Sequence, residues 1–224
     1  MTIDLARMES YYASRAPEYD AVYLKPERQQ DLRAIEAWLP SIFEKNATLL
    51  EVACGTGYWT QFLGPLVSRL VGLDASPETL QIARRRDCGH ATSFVVGDAY
   101  DIPPSLGKFD AAFAGFWFSH VPIGRRSSFL SGLNRSLRPG AKVVLLDNRF
   151  VEASSSPIAE TDAQGNTFQV RNLKDGSTHR VLKNFPTEEE LNRSLASAGG
   201  QGKLTTWEHF WAFEYVASGV PIGA

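Results

Sequence analysis

The chain has 224 residues, of which 43% are hydrophobic and 21% charged, a composition suited to one α/β domain with a full core. A formal net charge of −2 provides no broad basic field for tracking a phosphate backbone, so no nucleic-acid partner is expected. Two cysteines, Cys54 and Cys88, make neither a disulfide framework nor a zinc motif, so no metal is expected and a reducing, cytoplasmic setting is.

The first 20 residues are too polar for a signal peptide, and no apolar run approaches the ~18 residues of a membrane span, so no membrane partner is expected. Residues 5–20 suggest a short helix broken near Pro17, and 26–39 an amphipathic helix opened by Pro26. "TLLEVA" (48–53) predicts a buried strand, 57–68 a helix, and "SRLVGLD" (68–74) a second strand. Ser76 is placed to cap a helix beginning at Pro77. Strands follow at 91–98, 109–118 and 141–148, with a helix at 124–137 stopped by Pro139-Gly140. Strands alternating with helices at this spacing predict a mainly parallel sheet.

The last third breaks that rhythm. Asp175-Gly176 between two β-prone runs predicts a hairpin over 166–185. Thr187 and Glu190 stand in capping-box spacing before a helix ended by Gly199-Gly200, and 203–217 reads as two strands. One domain is expected throughout: a helical lid (1–45), a cofactor-binding core (46–148), an inserted hairpin (149–185) and a C-terminal helix with a strand pair (186–224).

Ligands of open parallel sheets sit at the strands' carboxyl ends. There "EVACGTG" (51–57) offers Gly55 and Gly57 for close backbone approach, with Glu51 as an acceptor nearby. Asp74 ends the second strand, placed to accept both hydroxyls of a ribose, and Asp98 ends the third, placed to accept from the amine of a base. Thr60 stands where a dinucleotide turn wants its third glycine, and no P-loop lysine is present, which disfavours a nicotinamide-dependent oxidoreductase. Adenosine with a zwitterionic tail suits the acidic neighbours better than a pyrophosphate does.

"LLEVACGTGYWT", "VVGLDASPETL", "FVVGDAYDIP", "FDAAFAGFWFSHVP" and "LRPGAKVVLLDN" resemble, in order and spacing, class I S-adenosylmethionine-dependent methyltransferases. Upstream, "YYASRAPEYD" is similar to a segment of the family's small-molecule branch. The resemblance covers roughly residues 11–217, with Ala53 departing from a common glycine. It implies a Rossmann-like, seven-stranded, mainly parallel sheet whose last strand is antiparallel, with an N-terminal helical lid and a hairpin after the fifth strand. It implies S-adenosylmethionine as cofactor, held by Glu51, Ala53, Gly55, Thr56, Gly57 and Trp59 around the first turn. Asp74, Ala75 and Ser76 would hold the ribose and adenine, Asp98, Ala99 and Tyr100 the adenine edge, and Gly115 and Phe116 the methionine side. Tyr12 and Tyr19 would close the lid.

His120 after "FWFS" is a candidate general base, with a loop or cap histidine as the alternative. Candidate acceptor contacts are Tyr11, Arg15 and Tyr23 in the lid, Phe118 at a strand end, Arg149, and Arg171, His179 and Arg180 on the hairpin. Taking Asp175-Gly176 as a two-residue turn sets Arg171 opposite Arg180, an anion clamp or a solvated pair. The Arg84-Arg85-Arg86 run reads as a solvated helix end, and both cysteines as packing or loop residues. The expected activity is methylation of a small acidic or aromatic molecule, preferably on oxygen, by a monomer or homodimer. N- or C-methylation and a non-catalytic cofactor-binding role are the alternatives.

Overall fold

A computed structural model of the chain describes residues 15–196 and 200–218. Seven strands form the main sheet: β1 Thr48–Val52, β2 Arg69–Asp74, β3 Thr92–Val96, β4 Phe109–Gly115, β5 Leu137–Asn148, β9 Lys203–Thr206 and β10 Phe210–Val216. Their order is β3-β2-β1-β4-β5-β10-β9, with β1 to β5 mutually parallel and β10 antiparallel to both its neighbours. The chain winds outward from β1 to β3 and then returns beside β1 as β4. The switch point therefore lies between the carboxyl ends of β1 and β4, where a ligand crevice opens.

Alternation along the strands feeds two cores. Leu50, Val52, Ala112 and Val143 pack with Phe129 and Leu133 of α4 (Arg126–Arg135) and Leu191 and Leu195 of α5 (Glu188–Ala196). Leu49, Phe113, Val144 and Leu146 pack with Leu32, Ile35 and Leu39 of α1 (Gln29–Ile42). Side chains one residue apart on a strand thus enter opposite faces, as a two-residue period requires.

Local signals decide several ends. Ser76 Oγ accepts from Thr79 N at 3.2 Å and caps α3 (Pro77–Ala83). Thr187 and Glu190 exchange backbone-to-side-chain hydrogen bonds of 3.2 and 3.3 Å, a reciprocal capping box before α5. The helix expected over 57–68 is shorter: α2 is Thr60–Leu63, followed by a 3-10 turn Gly64–Leu66. Pro65 supplies no N–H, and a Cβ on Gly64 would lie 2.0 Å from the Cys88 carbonyl, so the chain must turn there. Strand β5 begins before Pro139-Gly140, through a register shift against β4 between Phe109 and Ala111.

A second, antiparallel sheet follows β5: β6 Glu160–Thr161, β7 Thr167–Asn172 and β8 Thr178–Leu182, in the order β6-β7-β8. The hairpin register differs from that expected. Arg171 pairs with His179, and Val170 with Arg180. Leu173 N donates to Ser177 O at 2.9 Å and Gly176 N to Leu173 O at 3.0 Å, with Gly176 at φ +84°. The turn therefore holds three residues with glycine in the left-handed position, not two, and the one-residue slip moves Arg180 to the other face. Among the described residues, no helix is long and apolar enough to cross a membrane.

Candidate active site

Turns at the ends of β1, β2 and β4 converge at the switch point. Gly55 and Gly57 have φ of +55° and +75°, and the non-glycine residues Ala53 and Phe116 are left-handed too, at +53° and +58°. Such geometry costs roughly 1–2 kcal/mol per L-residue, and its concentration at two strand ends marks a functional crevice. Asp74 ties the turns together. Its Oδ2 accepts from Gly55 N at 2.8 Å, and its Oδ1 from Ser76 N at 2.9 Å and Thr79 Oγ1 at 3.0 Å. Of the roughly four acceptor positions on a carboxylate, only one on Oδ2 is left. Burial raises the Asp74 carboxyl, against the pull of those donors.

Glu51 is buried on β1 and, among the described residues, accepts only from Thr60 Oγ1, at 2.7 Å. Burial, opposed by that hydrogen bond and aided by Asp74, pushes its carboxyl up to about 8. Nearby, Trp59 is buried with its Nε1 donor unpaired, and a Cβ on Gly115 would stand 2.8 Å from the same indole. A buried carboxylate lacking a cation and a buried donor lacking an acceptor share one face of the sheet, since Glu51 registers with Phe113 two residues before Gly115. Asp98 is exposed and accepts from Tyr100 N at 2.8 Å, with Ala99 buried between them.

The arm leading into α1 closes over this crevice. The Tyr19 ring would lie 3.2 Å from a Cβ on Gly55. Asp20 accepts from Thr56 Oγ1 and pairs with Arg86, whose Nε donates to Thr56 O at 2.6 Å. Arg86 is therefore a latch between arm, glycine turn and the end of α3, in contrast to the solvated helix end expected of the arginine run.

Beyond Tyr19 and Phe116 opens a cleft of about 690 Å³, including its mouth. Arg15, Lys25, Arg28, Arg171 and Lys183 line it with His120, Asn148, Gln169 and three serines, and no Asp or Glu lines it among the described residues. Arg171 lies beside Gln169, its Nη2 donating to Oε1 at 2.6 Å. Arg28, only 5% exposed, donates to Ser154 Oγ at 2.9 Å, Ser154 O at 3.2 Å and Asn148 Oδ1 at 2.8 Å. Lys183 Nζ donates to Asp147 Oδ1 at 2.8 Å and Ser119 Oγ at 2.7 Å, all in the interior. Burial alone would raise the Asp147 carboxyl, yet the Lys183 ammonium and its other donors hold it below the ordinary range.

The His120 ring Nδ1 faces the Leu182 carbonyl, so it carries the proton and Nε2 the lone pair. Burial first, then Lys183, lowers its pKa to about 3, against the opposing effect of Asp147. The ring is a neutral hydrogen-bonding group and a weak base.

Of the acceptor candidates, Arg15, Arg171 and His120 line the cleft together with Tyr19 and Phe116. Tyr23 lies behind it, stacked against Phe116 with centroids 5.5 Å apart. Phe118 is wholly buried in the core. Arg149 donates to the Trp207 carbonyl at 2.7 Å, outside the cleft. His179 pairs with Ser177 Oγ at 2.8 Å and does not line it. Arg180 forms two bonds of 2.8 and 2.9 Å to Glu160 on the outer face. Tyr11 and Tyr12 lie outside the described residues. Lys25, Arg28, Asn148 and Lys183 carry no motif, and only the folded arrangement brings them together.

Sheet order, antiparallel β10 and a glycine turn flanked by Glu51 and Asp74 define a nucleoside-binding α/β enzyme of the methyltransferase type. Residues 49–140 match the family described as a methyltransferase domain. Demethylmenaquinone methyltransferase of Staphylococcus aureus is 28% identical, over 69% of this chain and 68% of that protein. Structures of DhpI with SAH and with SAM and HEP superpose with a TM-score of 0.77 at 28% and 29% identity, covering 96% of this chain and 97% and 99% of theirs. Magnesium protoporphyrin IX methyltransferase from Synechocystis PCC 6803 with bound SAH shares the fold, with a TM-score of 0.68 at 15% identity over 96% of this chain and all of that one. This chain's fold, and its match over residues 49–140, are those of the class I S-adenosylmethionine-dependent methyltransferases. It uses S-adenosylmethionine to methylate a small molecule. The residues present fit that cofactor: Glu51 lacks the cation an α-ammonium group would bring, and Trp59 Nε1 lacks an acceptor.

Proposed function

We propose that the enzyme transfers a methyl group to an oxygen of a small acidic molecule. The observation that carries this reading is a cleft lined, among the described residues, by five lysines and arginines and no carboxylate. Arg28 and Arg171 repel the Lys25 ammonium, Arg171 and Arg15 repel that of Lys183, and a bound oxyanion relieves that repulsion.

In this reading Glu51 takes the cofactor's ammonium group, Asp74 a single ribose hydroxyl at its remaining acceptor position, and Asp98 the adenine amine. Ala53, Gly55, Thr56, Gly57, Trp59, Ala75, Ser76, Ala99, Tyr100, Gly115 and Phe116 form the cradle around it. When bound, the cofactor supplies an activated methyl group on a sulfonium. The protein's work is then alignment and exclusion of water. Arg171, Arg28 and Lys183 orient the acceptor's charge, while Tyr19 and Phe116 form the passage between the two compartments. An acid is already ionised, so no proton has to be removed. The weakly basic His120 suits a hydrogen-bonding role at the acceptor better than proton abstraction.

Incubation with labelled S-adenosylmethionine and a panel of small carboxylates, phosphate monoesters, phenols and amines tests this. Label in the acids supports the proposal, and label confined to neutral phenols or to amines overturns it.

A further inference from the structure

Arg28 is a buried cation with no carboxylate hydrogen-bonded to it among the described residues. Its three hydrogen bonds go to the hydroxyl and carbonyl of Ser154 and to Asn148 Oδ1, all neutral. Glu27, whose charge acts on it, makes no hydrogen bond to it but accepts from the intervening Ser154 hydroxyl at 2.7 Å, and Glu27 is itself 42% exposed and shared with Lys25. A guanidinium has five N–H groups, so one on Nη1 and one on Nη2 are not engaged. The guanidinium lies 5.8 Å from the Phe210 ring centroid and lines the cleft. A buried charge is normally paired, and leaving one unpaired costs stability.

Asn148 keeps it unpaired. Its Oδ1 accepts from Arg28 at 2.8 Å, while its Nδ2 donates to Asp147 Oδ1 at 3.2 Å. An aspartate there would neutralise Arg28. The neutral amide separates the Arg28 charge from Asp147, which Lys183 already satisfies. We propose that Asn148 is a specificity-determining residue: it withholds a counter-ion from Arg28, so that the acceptor's own negative charge completes a buried ion pair. The proposal rests on the acidic-acceptor reading. It makes negative charge on the acceptor a requirement of the cleft. Stability is given up in the empty cleft and recovered on binding.

The test uses inorganic phosphate as the probe anion, at constant ionic strength, with chloride as control. Calorimetry follows phosphate and S-adenosylhomocysteine binding by the wild type, Asn148→Asp and Glu27→Gln. Asn148→Asp is expected to lose tenfold or more in phosphate affinity and to keep its S-adenosylhomocysteine affinity. A merely structural asparagine predicts both affinities weakened alike, and that result overturns the proposal. Phosphate affinity within twofold of wild type overturns it as well, while leaving the acidic acceptor standing. No phosphate binding by the wild type defeats both. Should Asn148→Asp not fold, Glu27→Gln decides: removing the remote carboxylate tightens phosphate binding, and unchanged binding overturns the proposal.

Discussion

Arg171 and Arg180 stand on opposite faces of the β7–β8 hairpin, one lining the cleft and the other bonded to Glu160 outside it. Their roles therefore separate. Arg171→Ala is expected to raise the acceptor KM by about tenfold or more, the scale of a charge-assisted hydrogen bond. Arg180→Ala removes an exposed ion pair and is expected to change KM by less than twofold and stability by at most about 1 kcal/mol. Steady-state kinetics on both variants check this, and equal effects would contradict the register.

The Lys183–Asp147 pair is sealed in the interior. Removing one partner strands the other, which typically costs about 3–5 kcal/mol. Lys183→Met is expected to lower stability on that scale and to weaken acceptor binding. Adding Asp147→Asn to it should recover much of the stability and none of the acceptor affinity. Denaturant unfolding of the three variants measures the coupling.

Glu51 titrates near pH 8 in the folded chain, against an ordinary value of 4.5. Between those values the folded state holds a proton that the unfolded state has released, so Glu51's contribution to stability falls as pH rises and is lost above about 8. Glu51→Gln should remove this slope and be more stable than wild type at pH 8. An ammonium beside Glu51 favours the carboxylate, so cofactor binding at pH 7 should release a proton. Calorimetry in buffers of different ionisation enthalpy detects it, and a buffer-independent enthalpy would contradict the assignment.

Asp20 and Arg86 fasten the arm to Thr56. Arg86→Ala is expected to speed S-adenosylhomocysteine release several-fold with little change in association. Stopped-flow displacement reads both rates.

The sequence told more about the cofactor side than about the acceptor side. Strand alternation, the Ser76 cap and the Thr187–Glu190 box are encoded in neighbouring residues, and they form as their local chemistry dictates. Asp74 and the glycine turn are likewise contiguous motifs. The cleft proposed to hold the acceptor has no such grammar. Arg28 opens a helix, Lys183 follows a strand and Asn148 ends one, and only the tertiary fold makes them neighbours. The hairpin register failed for a different reason: Asp-Gly suits both two- and three-residue turns, and the choice between them inverts every side chain along the strand.

The three-stranded sheet shares no strand with the main one, yet Gln169, Arg171 and Val181 of its inner face wall the cleft. The molecule is thereby divided between a fixed engine and an exchangeable jaw. On the proposed acceptor reading, substitutions in β7 and β8 redraw what is methylated without touching the glycine turn or Glu51, which makes this sheet the place to begin when redirecting the enzyme to another acceptor.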